Sequence, residues 1–181
     1  MIELPSNTYI FRTRPDILSS ESQFRDNLNI SNANSVMFNV LVLKNSSILV
    51  EYDAVIWSKD KIWFIEYKDS KSANKRMSAK RVQQISDTSR NIARSFGFLE
   101  YNFTVVVKDI DEMRLKGTSC VIPLENLNDF EPEYSSSYEE LEYLDKLIKK
   151  YENNDIKEIS KDTVLSNLNT VRSILINKNK K

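Results

Sequence analysis

The stretch that decides the fold is ILVEYDAVIWSKDKIWFIEYK, residues 48–68. Residues that favour strands (Val, Ile, Phe, Tyr and Trp) dominate it on both sides of the polar pair Lys59-Asp60. A two-residue polar break between two such runs is typical of a β-hairpin. Because Asp, Glu and Lys are depleted in strands, the charged residues inside the two runs require an explanation of their own.

The hairpin register brings two carboxylates together. With the polar pair as the loop, Asp53 lies directly opposite Glu66, and Glu51 lies opposite Lys68. Side chains alternate along a strand with period two, so Glu66 and Lys68 share one face. Like charges that face each other across strands are destabilising. We therefore expect Asp53 and Glu66 on one face, within reach of a divalent cation, unless one is protonated or both are solvated.

Composition excludes several kinds of active site. The chain has no histidine and one cysteine, Cys120, which removes serine–histidine and cysteine–histidine catalysis, histidine-ligated zinc and an internal disulfide. Any metal has to be held by oxygen atoms. The length of 181 residues favours one domain, 1–181. Because no apolar run suits a membrane span or a signal peptide, we expect a soluble, cytoplasmic protein that does not bind membranes.

The remaining pattern predicts an α/β fold, a mixed sheet flanked by helices on both faces. After an irregular lead-in over 1–15, the predicted elements are a helix over 16–29, strands over 35–44, 48–58 and 61–68, a helix over 77–96, strands over 102–109 and 120–123, and helices over 137–151 and 162–177. Residues 16–109 form the predicted core, and 110–181 form an extension with two helices. Ser137 and Glu140 are typical of a capping box.

Glu21 is a further carboxylate in an unexpected place. It lies four residues after Ile17 and three before Phe24, so it falls on the apolar side of the first predicted helix. Its long side chain could instead reach water at the edge of that side. A basic segment follows the hairpin, while residues 118–145 carry acids and no base. The basic residues of interest are Lys71, Lys75, Arg76, Lys80 and Arg81.

These residue types suit metal-assisted phosphodiester hydrolysis. Carboxylates can hold Mg²⁺ while leaving positions for water and a phosphate oxygen. The metal polarises the phosphate and lowers the pKa of bound water. A neighbouring lysine can position that water and stabilise developing charge, and nearby basic residues neutralise nucleic-acid phosphates.

One motif resembles a known superfamily. Asp53, twelve intervening residues and then Glu66-Tyr67-Lys68 at the end of the apolar strand IWFIEYK are similar to the PD-(D/E)xK phosphodiesterases. That superfamily includes restriction endonucleases, archaeal Holliday-junction resolvases and nuclease-related NERD domains. The sequences EYDAVIW and FIEYKDS are most similar to the NERD and restriction-endonuclease-like branch. The resemblance covers about residues 16–109 and implies a restriction-endonuclease-like core.

The resemblance also implies a set of roles. The implied ligands of Mg²⁺ or Mn²⁺ are Glu21, Asp53, Glu66 and the carbonyl of Tyr67. Lys68 would serve the attacking water, and Gln84 would complete the catalytic group from the following helix. The basic segment would bind nucleic acid. The chain departs from the family pattern in one place, where Glu51-Tyr52-Asp53 replaces the usual Pro-Asp pair.

The leading functional prediction is a Mg²⁺- or Mn²⁺-dependent endonuclease acting on DNA, with a possible homodimer. One alternative is an RNA endonuclease of the cap-snatching type, although many of those enzymes use a metal-binding histidine that this chain lacks. A second alternative is a catalytically inactive module that binds nucleic acid or protein on the same fold. A third is structural: Lys68 could form ordinary strand ion pairs with Glu51 and Glu66, which would leave the position of Asp53 unexplained.

Overall fold

The computed structural model is an α/β fold in which helices flank a mixed sheet. It describes residues 8–14, 19–70, 72, 77–108, 120–152 and 160–179. Within these residues the strands are β1 (Tyr9–Thr13), β2 (Ser35–Lys44), β3 (Ser47–Ser58), β4 (Lys61–Lys68), β5 (Glu100–Val107), β6 (Val121–Pro123) and β7 (Ser135–Ser136). The helices are α1 (Ser19–Asp26), α2 (Ala79–Ser95), α3 (Glu139–Glu152) and α4 (Lys161–Asn179), with a 3-10 helix at Leu124–Asp129.

The seven described strands form one open sheet with the order β1-β2-β3-β4-β5-β6, and β7 also pairs with β5. Strands β1 to β4 are antiparallel neighbours, whereas β5 is parallel to β4 and β6 is parallel to β5. A parallel neighbour requires a crossover connection, which contains α2. Because α2 runs back along the sheet, its N-terminus lies at the end of the sheet where β4 ends.

Two apolar layers cover the sheet. Val82, Ile85 and Ile92 of α2 are buried with Phe64 and Val105 on one face. Phe24 of α1 and Leu127 of the 3-10 helix are fully buried on the other face, in a cluster with Trp63 and Ile65. Both faces of the central strands are therefore buried, which is typical of strands with parallel neighbours.

The two C-terminal helices α3 and α4 pack against each other. Arg94 contacts Glu140 at 3.4 Å, and Arg172 contacts Asp145 at 2.8 Å, so α2, α3 and α4 are linked by ion pairs. Leu141 of α3 is buried. Among the described residues, none of the helices combines the length and the apolar character needed to cross a membrane.

The α/β prediction is confirmed, but β7 and the 3-10 helix were not predicted and several bounds differ. The lead-in over 1–15 contains strand β1 at Tyr9–Thr13, which was not predicted. Helix α1 ends at Asp26 rather than residue 29, and β5 spans 100–107 rather than 102–109. Ser137 does not open a helix as a capping residue; its hydroxyl donates to the carbonyl of Phe98, and α3 begins at Glu139. The local sequence could not reveal this bond, because Phe98 is remote in the chain.

Candidate active site

Asp53 lies where the pairing of β2 and β3 is interrupted. The register of these strands skips the facing residues Asn39 and Asp53. Asn39 has a φ of 51°, a left-handed conformation that asparagine adopts more readily than most residues. The side-chain alternation of β3 changes at this point: Tyr52 packs on the α2 side of the sheet, and Ala54 packs on the α1 side. The interruption therefore places Asp53 at a local distortion rather than in a regular ladder.

The predicted hairpin register is confirmed as far as the pair Ala54–Ile65. Beyond that pair, the Asp53 side chain takes the place of a backbone partner, since its Oδ2 accepts the N–H of Tyr67 at 2.5 Å. In an antiparallel pair, the amide and carbonyl groups of one residue point to the same neighbour. The carbonyl of Tyr67 thus faces the same gap between β3 and β4 as the carboxylate of Asp53.

The Asp53 side chain is surrounded by negative charge. Burial, followed by the negative charge of Glu66 and then that of Glu21, raises the pKa of Asp53 to about 7. The hydrogen bond from Tyr67 and the positive charge of Lys68 lower this pKa, but they offset only part of the increase. Glu66 and Glu21 are therefore both close enough to influence the Asp53 carboxyl group, and burial strengthens such interactions.

Glu66 is paired with a lysine on the α2 side of the sheet. Lys68 Nζ donates to Glu66 Oε1, and both side chains are less than one-fifth exposed. Tyr52 lies near this pair. Burial raises the pKa of Tyr52, its hydrogen bond with Ser89 lowers it, and the charge of Glu66 raises it further. The hydroxyl groups of Tyr52 and Ser89 are 2.7 Å apart, so this bond links α2 to β3 next to Asp53.

Glu21 is held by helix α1 at the end of β4. The ring of Phe24 stacks on that of Tyr67, with centroids 5.0 Å apart and an interplanar angle of 9°. The Glu21 side chain is only 14% exposed, and its Oε2 accepts from Arg25 Nη2 at 3.2 Å. The guanidinium of Arg25 lies 4.5 Å from the ring centroid of Phe38. The expectation that Glu21 lies on the buried side of its helix is thus confirmed.

The carboxylates do not form a ready metal-binding set. Within the described residues, no three acidic, cysteine or histidine side chains are placed so that they could hold a metal ion as they stand. Two of these carboxylates are instead paired with bases, Glu66 with Lys68 and Glu21 with Arg25. The donors are nevertheless all oxygen atoms, which suits hard divalent cations.

The other predicted site residues are either exposed on α2 or outside the described residues. The Gln84 side chain is exposed on α2, and among the described residues it forms no hydrogen bond with the carboxylates. Lys80 and Arg81 are exposed near the N-terminus of α2, where the helix dipole also favours anions. Three predicted nucleic-acid-binding residues lie outside the described residues: Lys71, Lys75 and Arg76.

The structural alternative of an ion pair between Glu51 and Lys68 is not borne out among the described residues. Glu51 is exposed, and its Oε2 instead accepts from Arg14 Nη2 at 3.0 Å. The residue before Arg14 ends β1, the strand that the sequence did not reveal. The structural alternative for Lys68 therefore keeps only its pair with Glu66, and the position of Asp53 remains unexplained by strand packing alone.

Sequence reasoning missed two residues of this site, Asn39 and Arg25. Asn39 interrupts an otherwise apolar strand, and asparagine is depleted in strands, so its presence could have indicated a distortion. Arg25 follows Glu21 by four residues, a spacing at which opposite charges on a helix meet. Both signals are present in the sequence, but neither indicates how close Asp53 lies to Glu66 and Glu21.

An aromatic cleft lies elsewhere, at the hairpin-loop end of β3 and β4. It has a volume of about 320 Å³, and Trp57, Trp63 and Tyr134 contribute to its walls. Trp63 is buried and its Nε1 donates to Thr104 Oγ1 at 3.0 Å. None of the carboxylates described above lines this cleft.

Comparisons with known proteins supply no family. No protein-family model matches the chain, and no curated protein matches it significantly. Among solved structures, the chain is similar to protein VC1899 from Vibrio cholerae, with 18% identity and a TM-score of 0.35. This similarity covers 61% of the chain but 29% of VC1899. So low a TM-score supports no inference about fold or function.

Proposed function

We propose that this protein is a divalent-metal-dependent endonuclease that hydrolyses phosphodiester bonds, with DNA as the leading substrate and a restriction-endonuclease-like core. The observation that carries the proposal is the Asp53 carboxyl group, which is partly buried at a strand interruption beside the charges of Glu66, Glu21 and Lys68. A carboxyl group whose pKa is strongly raised by burial and by like charges is typical of functional sites. A purely structural sheet gains nothing from that arrangement.

The donor chemistry supports Mg²⁺ or Mn²⁺ as the cofactor. Glu21, Asp53, Glu66 and the carbonyl of Tyr67 would hold it, and they provide oxygen ligands only. When bound, such a cation polarises a phosphate group and lowers the pKa of coordinated water. Glu21 and Glu66 have to turn from their basic partners to take part, because both are held by ion pairs.

The basic residues of the chain supply the remaining functions. Lys68 lies next to Glu66 and influences Asp53, so its ammonium group can orient a water molecule and stabilise negative charge that develops on the phosphate. Lys80 and Arg81 are exposed near the N-terminus of α2, at the end of the sheet where β4 ends. From there they can neutralise phosphates that flank the scissile bond. Gln84 stays a predicted catalytic residue, exposed on the same helix.

The proposal is tested by separating cleavage from binding. Alanine at Asp53, Glu66 or Lys68 should abolish cleavage of nucleic acid while leaving most of the binding affinity, measured by fluorescence anisotropy in EDTA. Matched controls are Glu125→Ala and Lys149→Ala, since both side chains are exposed and distant from the carboxylates in the chain. Full activity in any of the three site variants would contradict the mechanism.

Two neighbouring functions are outcomes of the same experiment. Cleavage of RNA but not DNA would support the RNA-endonuclease alternative. Binding without cleavage of either substrate in wild-type protein would support an inactive binding module. A homodimer remains a prediction; exposed Tyr143, Val171 and Ile174 on α3 and α4 support it, and light scattering in solution tests it.

A further inference from the structure

Arg25 is the residue near the carboxylates that the proposed mechanism leaves without a role. Its Nη2 donates to Glu21 Oε2 at 3.2 Å, and its guanidinium lies over the ring of Phe38. The side chain is 18% exposed. Its Nε is buried and, among the described residues, lacks a hydrogen-bond partner. Because a buried N–H without a partner is unfavourable, the contacts with Glu21 and Phe38 have to stabilise this position.

This ion pair competes with a cation for Glu21. The guanidinium fixes the direction of the carboxylate and compensates the negative charge that would attract a metal ion. Glu66 is compensated in the same way by Lys68. Among the described residues, the hydrogen-bond donor to the Asp53 carboxylate is the backbone N–H of Tyr67 rather than a basic side chain. Basic side chains thus pair with two of the three carboxylates from which a divalent cation would draw ligands.

We infer that Arg25 is a positioning residue that holds Glu21 in the metal-free protein and sets the affinity of the carboxylate group for divalent cations. A cation that binds Glu21 has to replace the guanidinium as its partner. The strength of the ion pair is therefore subtracted from the free energy of metal binding. This inference rests on the proposed function, because it requires a metal site that includes Glu21.

The test is calorimetric titration of Mn²⁺ into metal-stripped protein without nucleic acid. Arg25→Gln should bind Mn²⁺ roughly three- to tenfold more tightly than wild type, as expected for loss of a competing ion pair. Arg25→Lys should restore an affinity close to wild type, because the lysine keeps the charge near Glu21. A role limited to packing would lower the melting temperature of Arg25→Gln without raising its affinity for Mn²⁺.

A double-mutant cycle keeps the inference testable if one variant is poorly stable. In the Glu21→Gln background there is no ion pair to break, so adding Arg25→Gln should leave the Mn²⁺ affinity unchanged. An equal gain in both backgrounds would overturn the inference, since Arg25 would then act only as a distant charge. An affinity for Mn²⁺ that is unchanged or weaker in the single variant Arg25→Gln would also overturn the inference. If wild-type protein fails to bind millimolar Mn²⁺, the proposed function itself fails.

Discussion

Replacing Asp53 with asparagine should stabilise the metal-free protein at neutral and alkaline pH. Asparagine has the same shape as aspartate but no charge, and its side-chain oxygen can still accept the N–H of Tyr67. The pKa of Asp53 is raised from 3.8 to about 7 in the folded protein. Because the folded state favours the protonated form, stability falls as pH rises from about 4 to 7, and the full destabilisation is present above pH 7.

The magnitude of this effect follows from the pKa. One pKa unit corresponds to about 1.4 kcal/mol, so ionised Asp53 destabilises the folded state by about 4 kcal/mol above pH 7. Near pH 5 the unfolded chain has already lost this proton and part of the destabilisation is present. Between pH 5 and pH 8 the advantage of Asp53→Asn should grow by about 2 to 3 kcal/mol. For a chain of this size, that corresponds to about 5 to 10 °C in melting temperature.

The assay is thermal unfolding of wild type and Asp53→Asn, followed by circular dichroism in EDTA at several pH values. Asp129→Asn is the matched control, because Asp129 is exposed at the end of the 3-10 helix. Its difference from wild type gives the baseline against which Asp53→Asn is compared at each pH. A pH-independent difference for Asp53→Asn, or a variant less stable than wild type at pH 8, would refute the reasoning about buried like charges.

Three further substitutions test other parts of the account. Tyr52→Phe removes the hydrogen bond to Ser89 and should lower the free energy of unfolding by about 1 kcal/mol; unchanged urea unfolding would show that the bond contributes nothing. Phe24→Ala removes a fully buried ring from α1 and should cost about 3 to 5 kcal/mol in the same measurement; a loss near zero would mean that α1 is not anchored by this ring. Replacing Lys80 and Arg81 together by alanine should lower the magnitude of the slope of log affinity against log salt concentration by the equivalent of up to about two phosphate contacts. An unchanged slope would place the nucleic-acid-binding surface elsewhere.

The hairpin and its register were predictable from the sequence for a local reason. The loop has two residues, and a two-residue loop fixes every cross-strand pair that follows from it. The observed pairs from Ser58–Lys61 to Ala54–Ile65 follow that rule. The burial of Glu21 was predictable for a similar reason, because helical periodicity decides which face a residue occupies.

The interruption at Asp53 was not predictable from the hairpin sequence, because it also depends on Asn39 of the neighbouring strand β2. Asn39 adopts its left-handed conformation opposite Asp53. Asn39 belongs to β2 and therefore lies outside the hairpin formed by β3 and β4. Strand β1 was missed because it is short and lies at the edge of the sheet, so its burial pattern is weak. Without β1, the sequence gives Glu51 no partner other than Lys68.

The partners of the carboxylates were also beyond local prediction. The register indicates which charges meet, but side-chain conformations decide whether a carboxylate faces another acid, a base or a cation. Glu66 and Lys68 share a strand face and pair with each other. Glu21 pairs with Arg25 on its own helix. The carboxylates that lie near one another were therefore predictable as a group, whereas their ion-pair partners were not.

The most direct test of the central claim is cleavage by metal-stripped wild-type protein of DNA and RNA substrates in parallel, before and after addition of Mg²⁺ or Mn²⁺. A preparation of Glu66→Gln, made in the same way, controls for contaminating nucleases. We expect cleavage only after metal addition, inhibition by EDTA and no cleavage by Glu66→Gln. Absence of cleavage at saturating metal, or equal cleavage by Glu66→Gln, would contradict the assignment of these carboxylates to phosphodiester hydrolysis.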